Sequence, residues 1–474
     1  MVAEYLTIRN LTANPIELKQ VERFAPLDIR KPDIKNITKS FTTLLNNITR
    51  SANEVDSIAQ GSESFSRTDV SVRVEPFTTV NTDIRAYENS EKERLKLTIE
   101  VEGERHEVQT PVPTSDSATM KALQDNPRFR LTGIYVTPES HLAVFSSANL
   151  DSWMKELKDD TLLSALSIPG THNSPTCHVA PPSVRCQAVS PREQLDNGVR
   201  FFDIRAHPQF PDDPSRDSLV LVHSAFPISL TGNKYFRDLV KEIEAFLERN
   251  PSETLIMSVK REGPGKHTDA QLSKILYDHY AKDPFKWYTE PKVPTLAEAR
   301  GKIVLVRRFD LEDSLRQEWN GRGWGIDASG WADNTPHALC PSGHICVQDF
   351  YEVLETENID KKIEYVNAQL ARAATLRYPC GILSSEGDDN GDRNPFYVNF
   401  LSASNFWKVQ TWPEKIAAKL NPATVDYICR KHHENEEGDW STGILVCDWV
   451  GLDGDWDLVR CIVGMNSKLM MKQR

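Results

Sequence analysis

The arrangement of apolar and polar residues changes near residue 150. Before that point, apolar residues alternate with polar ones in two runs, 70–74 and 95–101, which is the period of β-strands with one solvent-exposed face. Shorter candidate strands of the same region lie at 5–8, 131–136 and 141–145. Residues 1–150 are therefore predicted to form a small antiparallel β domain of sandwich type. The region has no cluster of nucleophiles, bases or metal ligands, so we expect it to serve as a scaffold or to bind a partner.

Residues 151–474 instead alternate short apolar runs with amphipathic helical segments. Apolar residues at helical spacing cover 236–247, and Asn250-Pro251 ends that helix. A second helical stripe consists of Ile359, Ile363, Val366 and Leu370. Strands that alternate with helices predict a parallel sheet, and the runs are numerous enough for a barrel of β/α units. The predicted fold class is therefore α/β: an irregular TIM barrel preceded by the smaller β domain.

Polar side chains stand at the ends of the apolar runs in this second region. They are Asp203 and Arg205, His223, Lys260 and Glu262, Arg308, Asp349 and Tyr351, and Asp448. Because the carboxyl ends of parallel strands meet on one face of such a barrel, these side chains are predicted to converge around one pocket. A single strand-end charge more often caps a helix or forms a structural ion pair, but a set with complementary chemistry favours an active site.

The segment 163–176 places one more histidine, His172, at the mouth of a short strand that Pro169-Gly170 is predicted to end. On its own, a histidine there fits a turn residue bonded to the backbone as well as it fits a catalytic residue. Together with His223 it suits a reaction with separate proton removal and proton delivery, and a nearby arginine suits a phosphate. His172, His223 and Arg205 therefore predict cleavage of a phosphodiester, with Arg205 holding the developing charge.

The composition restricts the partners of the protein. Charged residues make up 26% of the 474, and the net charge of -12 argues against broad attraction to nucleic acids or anionic membranes. The eight cysteines are scattered without the paired spacing of a zinc site, and no glycine-rich phosphate loop is present. The first residues lack a signal-peptide pattern, and no window approaches the roughly 18 apolar residues of a membrane span. We therefore expect a cytoplasmic protein.

From residue 163 to about residue 450, the chain resembles the catalytic domain of bacterial-type phosphatidylinositol-specific phospholipase C, in the phospholipase C-like phosphodiesterase superfamily. The resemblance rests on motifs that occur here in the family order: P-G-T-H, F-F-D-I-R, V-H, N-P-S-E-T-L-I-M-S-V-K, K-I-V-L-V-R-R-F and V-Q-D-F-Y. It implies an irregular TIM barrel that cleaves phosphatidylinositol to diacylglycerol and an inositol cyclic phosphate. The substrate's own 2-hydroxyl is then the nucleophile, so no covalent enzyme intermediate is required.

The resemblance also implies a role for each motif residue. His172 is the implied general base, oriented by Asp448, and His223 the implied general acid toward the diacylglycerol oxygen. Arg205 is implied to hold the phosphate, with Asp203 beside it. Lys260, Arg308 and Asp349 are implied to bind inositol hydroxyls, and Tyr351 is implied to stack on the inositol ring. The role given to Arg308 could equally belong to the adjacent Arg307.

One position departs from the bacterial pattern. Bacterial members commonly have Asp directly after the first histidine, where it assists protonation of the leaving group, but this chain has Asn173. Eukaryotic relatives use Asn there as a calcium ligand, together with acidic residues at the positions of Asp203, Arg205 and Glu262. A guanidinium at Arg205 would repel Ca²⁺, so we predict catalysis without a metal or other cofactor. Asn173 also puts the efficiency of the acid step in question.

A membrane-contact site and two other functions stay open at this stage. Phe406, Trp407 and Trp412 fit an aromatic rim that enters the lipid interface as well as they fit core packing. The chain also fits a catalytically weak or inactive barrel that binds inositol phosphate or lipid headgroups, although the two histidines favour an enzyme. A metal-dependent barrel phosphodiesterase acting on glycerophosphodiesters or sphingolipids is the third reading, and Arg205 argues against it.

Overall fold

A computed structural model describes most of the chain. The described residues are 5–25, 58, 61–87, 93–111, 119–137, 139–353, 357–378, 394–405, 407–432 and 437–474. The chain divides into two compact units, Met1–Ser147 with Asp453–Asp457, and Ala148–Leu452 with Leu458–Arg474. No helix in the described part of the chain is both long enough and apolar enough to cross a membrane.

The first unit consists of β-strands in two sheets. The strands are β1 (Tyr5–Leu11), β2 (Ile16–Phe24), β3 (Ser66–Val74), β4 (Thr78–Arg85), β5 (Arg94–Val101), β6 (Glu104–Thr110), β7 (Lys121–Ala122), β8 (Leu131–Val136) and β9 (His141–Ser146). One sheet has the order β4-β1-β9-β8 and the other β3-β2-β5-β6-β7. A single apolar cluster contains Ile8 and Val144 of the first sheet and Leu18 and Leu97 of the second, so the alternating apolar positions pack between the layers.

One pairing in this unit differs from the predicted antiparallel arrangement. Strand β1 pairs with β4 in antiparallel fashion but with β9 in parallel, with Thr7 opposite His141. The strands between β1 and β9 in the chain belong to both sheets. The first and last strands of the unit therefore pair in the same direction. Alternation along each strand specifies which face is buried, but not the direction of its neighbour.

The second unit alternates strands with helices. Its strands are β10 (Ile168–Thr171), β11 (Phe201–Pro208), β12 (Leu219–His223), β13 (Phe226–Pro227), β14 (Leu255–Arg261), β15 (Trp287–Tyr288), β16 (Ile303–Arg308), β17 (Ile326–Asp327), β18 (Ala338–Leu339), β19 (Ile345–Gln348), β20 (Phe396–Phe400) and β21 (Ile444–Cys447). Its helices are α1 (Pro191–Asp196), α2 (Phe236–Arg249), α3 (Asp269–His279), α4 (Leu296–Ala299), α5 (Glu357–Ala374), α6 (Pro413–Arg430), α7 (Asp457–Gly464) and α8 (Ser467–Lys472). Short helical turns lie at Trp153–Glu156, Leu163–Ala165, Leu315–Gln317, Glu318–Gly321, Val409–Thr411 and Leu452–Gly454.

The strands of the second unit form the predicted parallel sheet. Its order is β15-β16-β14-β11-β10-β21-β20-β19-β18, and the neighbours from β15 to β19 are parallel. Among the described residues, no ladder joins β18 to the β15, β16 and β17 side, so backbone pairing does not close the sheet there. The two-residue strands β17 and β18 supply too few ladder bonds to complete a ring. The α/β class is confirmed.

Two local predictions about strands were wrong. Pro169 and Gly170 do not end β10 but lie within it, because Pro169 needs only its carbonyl, which accepts from the Arg200 amide at 2.8 Å. Gly170 lets β11 approach, since a Cβ there would lie 2.9 Å from that of Phe201. Strand β12 is not parallel to the sheet either: it returns antiparallel along the extended end of β11, and so carries His223 back toward the strand ends.

Helix α2 follows the predicted pattern, whereas α5 departs from it at one position. The apolar residues of α2 are buried, and the helix ends before Asn250-Pro251. In α5, Ile359, Val366 and Leu370 are buried, but Ile363 is only partly buried while Lys362 is completely buried. The buried face of α5 therefore includes Lys362, where the sequence pattern had placed Ile363.

Candidate active site

Strands β10 and β21 bring His172 and Asp448 together. Thr171 lies opposite Cys447 in this parallel ladder, so the next residue of each strand emerges at the same edge. His172 Nδ1 lies 2.9 Å from Asp448 Oδ1, and the His172 amide donates to the Cys447 carbonyl at 2.9 Å. With its Nδ1 proton donated to this carboxylate, the ring presents an unprotonated Nε2. Burial raises the pKa of Asp448, against the opposing effect of His172.

His223 is held beside this pair by a backbone carbonyl rather than by a carboxylate. Its Nδ1 donates to the Val184 carbonyl at 2.7 Å, and its ring centroid lies 5.8 Å from that of His172, with the planes nearly perpendicular. Burial, Arg205 and His172 lower the pKa of His223 to about 4. The His223 imidazole is therefore neutral near pH 7, and it can act as an acid only after it is protonated.

Arg205 lies at the centre of an ion-pair network. Its Nε and Nη2 donate to Asp203 Oδ2, both at 3.2 Å, and its Nη1 donates to Glu262 Oε1 at 3.0 Å. Burial alone would raise the pKa of Asp203, but Arg205 and Arg308 hold it well below its usual range. Burial likewise disfavours the charged form of Glu262, but Arg205 and Lys260 stabilise it. The pKa of Glu262 therefore falls to about 2. The guanidinium is thus fixed in orientation by two ionised carboxylates.

The remaining cations extend from this network along the strand ends. Lys260 Nζ lies 3.0 Å from Glu262 Oε1. Arg308 bridges two carboxylates, with Nη1 3.5 Å from Asp203 Oδ1 and Nη2 3.7 Å from Asp349 Oδ2. Arg307, by contrast, pairs with Asp327 and donates to backbone carbonyls, so its side chain is engaged away from this cluster.

Tyr351 occupies the edge of the candidate site. Its hydroxyl donates to both oxygens of Asp333, at 2.9 and 3.1 Å, and its amide donates to Asn334 Oδ1 at 3.0 Å. Burial and the Asp333 carboxylate raise the pKa of Tyr351 to about 12. The phenol of Tyr351 is therefore neutral, and the bonds of its hydroxyl to Asp333 hold the ring in place.

Asn173 is buried between the histidine and the ion-pair network. Its amide N–H donates to Asp203 Oδ2 at 3.1 Å, and its backbone has a left-handed φ of 44°. Neither Nδ2 nor Oδ1 of its side chain has a hydrogen-bond partner among the described residues. A buried amide without partners leaves its NH₂ group and its carbonyl oxygen free for a bound molecule.

Sequence reasoning missed three residues that support the site from loops. Trp331 stacks on the Arg308 guanidinium at 3.8 Å and donates from Nε1 to Asp349 Oδ2 at 3.0 Å. Gln187 donates from Nε2 to the carbonyls of His172 and Cys447, at 2.7 and 3.0 Å. Cys186 lies with its Sγ 3.7 Å from His223 Nδ1. No periodicity marks these positions, because their placement depends on how the loops pack.

The predicted aromatic rim is described only in part. Phe406 lies outside the described residues. Trp407 is 87% exposed, whereas Trp412 is partly buried where it precedes α6. The two tryptophans therefore have different environments, and only Trp407 presents a large apolar surface to solvent.

Comparisons with known proteins show which family this chain is similar to. The model of the phosphatidylinositol-specific phospholipase C X domain matches residues 160–309. The chain is 29% identical over 347 residues to the 1-phosphatidylinositol phosphodiesterase of Staphylococcus aureus (strain Newman), covering 69% of this chain and 98% of that protein. It is 27% identical over 313 residues to the protein of the same name from Listeria monocytogenes, covering 64% of this chain and 82% of the other.

A solved structure supports the same grouping. A mutant of phosphatidylinositol-specific phospholipase C from Staphylococcus aureus superposes with a TM-score of 0.51 at 26% sequence identity, covering 67% of this chain and 98% of that one. The family model includes His172, His223 and the Arg205 network, which the fold gathers at one edge of the parallel sheet. The predicted resemblance to bacterial phosphatidylinositol-specific phospholipase C is therefore confirmed, with the X-domain match lying in residues 160–309.

Proposed function

We propose that the protein is a phosphoric diester hydrolase/lyase that cleaves phosphatidylinositol-type lipids to diacylglycerol and an inositol cyclic phosphate, by acid–base catalysis on a barrel-type sheet. The observation that carries the proposal is the pair of facing histidines, 5.8 Å apart, each with its Nδ1 engaged by an acceptor. Relatives that cover most of the second unit are named 1-phosphatidylinositol phosphodiesterase. A site that only binds a headgroup does not require two such histidines.

His172 takes the role of general base in this reaction. Its Nε2 accepts the proton of the inositol 2-hydroxyl as that oxygen attacks the phosphorus. Asp448, bonded to Nδ1, keeps the required tautomer and stabilises the imidazolium that forms. Because Asp448 is only 2% exposed, this stabilisation acts in a site of low solvent access.

His223 takes the role of general acid. Its protonated Nε2 delivers a proton to the diacylglycerol oxygen as the bond from phosphorus to that oxygen breaks. The low pKa makes the imidazolium a strong donor, and the negative phosphate of a bound substrate raises the protonated fraction. The Val184 carbonyl holds the ring while the proton moves from Nε2.

Arg205 supplies the charge for the phosphate. Its guanidinium is oriented by Asp203 and Glu262, so it reaches the developing negative charge without reorganisation. The free Nδ2 of Asn173 provides a further neutral donor at the same place. The carboxylate oxygens of Asp203 and Glu262 bind Arg205 instead of surrounding an open position, so the residues present do not fit a calcium ion. The proposed reaction uses no metal.

The inositol ring is assigned to the cations and carboxylates that continue along the strand ends. Lys260, Arg308 and Asp349 offer donors and acceptors for ring hydroxyls, with Glu262 fixing Lys260. Arg308 Nε is buried without a hydrogen-bond partner among the described residues, which leaves a donor for the headgroup. Tyr351 provides an aromatic face for the ring.

Contact with a lipid surface is assigned to exposed apolar residues beyond the strand ends. Trp407 is 87% exposed, and Val179, Phe226 and Leu230 are 71%, 40% and 66% exposed. The amide of Leu230 donates to the Val179 carbonyl at 2.9 Å, so the loops after β10 and β13 present Val179 and Leu230 together. Exposed apolar groups on a protein that acts on a lipid favour peripheral binding to the lipid surface. The cytoplasmic location stays a prediction.

Release of diacylglycerol from phosphatidylinositol vesicles in excess EDTA tests this proposal. The wild type should turn over, and His172→Ala should lose activity by at least about a hundredfold, because the base is removed. Binding of vesicles without release of diacylglycerol would instead identify a headgroup-binding barrel. Activity that requires added Ca²⁺ would contradict the metal-independent mechanism.

A further inference from the structure

Cys186 adds a third metal-binding side chain to the histidine pair. His172, Cys186 and His223 each offer one ligand atom, and these three atoms all lie within 4.8 Å of one another. The sulfur of Cys186 is 3.7 Å from His223 Nδ1. Within the part of the chain that the structure describes, this is the single group of His, Cys, Asp and Glu residues close enough to hold a metal ion.

The position of Cys186 is fixed by backbone hydrogen bonds on both sides. Its amide donates to Thr176 Oγ1 at 3.1 Å, and its carbonyl accepts from the Trp449 amide at 2.8 Å. These bonds anchor it to the loops that follow β10 and β21, which are the strands that carry His172 and Asp448. The thiol itself is completely buried and donates to the Val184 carbonyl at 3.5 Å. The sulfur is therefore held next to the histidines by the same strand ends.

The ligand chemistry selects a class of metal. One thiolate and two imidazoles suit Zn²⁺ and related thiophilic ions, whereas Ca²⁺ and Mg²⁺ require oxygen ligands. Tetrahedral zinc has metal–ligand distances of about 2.0–2.3 Å, so the three side chains need to move inward by only about 1 Å. His172 already has an outer partner typical of a metal-binding histidine, the Asp448 carboxylate on its Nδ1.

We propose that His172, Cys186 and His223 form a binding site for a thiophilic divalent cation, Zn²⁺ or Cd²⁺, which inhibits the enzyme. Binding displaces the thiol proton to solvent and forms bonds from the metal to sulfur and to one nitrogen of each ring. A histidine bound in this way can neither accept nor deliver a proton, so the acid–base pair is blocked. The inhibition rests on the proposed function, but the binding site does not.

Cadmium binding to the purified full-length protein tests the site without an activity assay. In buffer free of chelator, the wild type should bind one Cd²⁺ in calorimetry with a sulfur-to-cadmium charge-transfer band in the ultraviolet. Cys186→Ser should lose this band and weaken binding by about tenfold or more, because a first ligand is removed. Cys177→Ser is the matched control, a half-buried cysteine outside the cluster, and should retain both signals.

The result that would overturn the proposal is a band and affinity unchanged in Cys186→Ser, or lost equally in Cys177→Ser. Cys186→Ala serves as a second variant should the serine protein fail to fold, as judged by circular dichroism. Inhibition is measured separately, each protein against its own rate without metal: Zn²⁺ should inhibit the wild type at concentrations at least about tenfold lower than Cys186→Ser. Absence of any turnover would contradict the proposed function while leaving the cadmium result to decide the site.

Discussion

The contact between His172 and Asp448 determines how the proposed base works. The Asp448 carboxylate accepts the Nδ1 proton of His172 at 2.9 Å. Replacing it with an amide changes the preferred tautomer of the ring while preserving its shape. Asp448 acts through His172 and not on the substrate directly. Its replacement should therefore affect the rate of proton transfer more than substrate binding.

Asp448→Asn is expected to lower kcat on phosphatidylinositol by about 10²- to 10⁴-fold with little change in KM. The physical reason is that the asparagine side chain can donate to Nδ1, which leaves Nε2 protonated and unable to act as a base. Steady-state kinetics at fixed pH measure this, with Asp313→Asn, at a 98% exposed position, as the control. A rise in KM with unchanged kcat would mean that Asp448 contributes to binding instead.

The pH profile should report the low pKa of His223. In the free protein burial, Arg205 and His172 lower this pKa to about 4, so the protonated fraction falls tenfold for each pH unit above that value. A bound phosphodiester is an anion beside the ring and raises the pKa again. The alkaline limb of kcat should therefore lie at a higher pH than that of kcat/KM on a soluble inositol phosphodiester. Coinciding limbs would contradict an acid whose protonation depends on bound phosphate.

Several of these residue positions could be predicted from sequence, because a parallel strand carries its following residue to a known edge of the sheet. That rule accounts for the neighbouring positions of His172 and Asp448, which lie 276 residues apart in the chain. It cannot account for Cys186 or Trp331, since loop residues reach the site through packing that no local pattern encodes.

At the scale of single elements, helix α5 holds the backbone around Asp349 in place through one buried lysine, Lys362. Lys362 is completely buried on this helix and donates from Nζ to Gln348 Oε1 at 3.0 Å and to the Phe350 carbonyl at 2.6 Å. These acceptors flank Asp349 at the end of β19. Burial lowers the pKa of Lys362 to about 7, against the opposing charges of Asp349 and Asp448. The apolar stripe read from sequence placed Ile363 on this face, because helical periodicity treats every lysine as a solvent-facing residue.

Lys362→Met should destabilise the second unit by about 1–3 kcal/mol at pH 9, because two buried acceptors lose their donor. The cost should be smaller at pH 6. Since the folded pKa lies below the ordinary value of 10.5, stability from the wild-type lysine is fully present above that value and is lost as pH falls toward 7. Urea unfolding at both pH values measures the difference. Lys361→Met, at the exposed neighbouring position, should show neither effect.

An equal destabilisation by Lys362→Met at pH 6 and pH 9 would contradict the lowered pKa of Lys362.

Strand β12 also differs from what its sequence pattern predicts. Its apolar run reads like any other strand of the sheet, but it pairs antiparallel with the extended end of β11. Sequence pattern gives the existence of a strand, whereas its direction depends on the length and path of the connecting loop.

For the whole molecule, the parallel α/β sheet followed from the alternation of apolar runs with helices. The incomplete backbone pairing around the sheet and the parallel pair β1–β9 did not. Both depend on contacts between segments far apart in sequence, which periodicity within a window does not record. The role of the β-rich first unit likewise stays a prediction of scaffold or partner binding.

The exposed tryptophan provides a test of how the molecule meets its substrate. Trp407 lies beyond the end of β20, and its burial in a lipid interface would remove a large apolar surface from water. Trp407→Ala should weaken binding to phosphatidylinositol vesicles by roughly tenfold, as measured by sedimentation, with no change in cleavage of a soluble inositol phosphodiester. Phe285→Ala is the matched control, since Phe285 is 85% exposed but precedes β15, at the opposite edge of the sheet. Equal loss on both substrates would assign Trp407 to packing instead.

In the proposed mechanism, two histidines promote attack of the substrate's own hydroxyl on the phosphodiester, without a metal. Phosphorus NMR of phosphatidylinositol incubated with the protein in EDTA tests it most directly. The resonance of inositol cyclic phosphate should appear first for the wild type and be absent for His172→Ala. Direct formation of the acyclic inositol phosphate, or equal turnover by the variant, would contradict it.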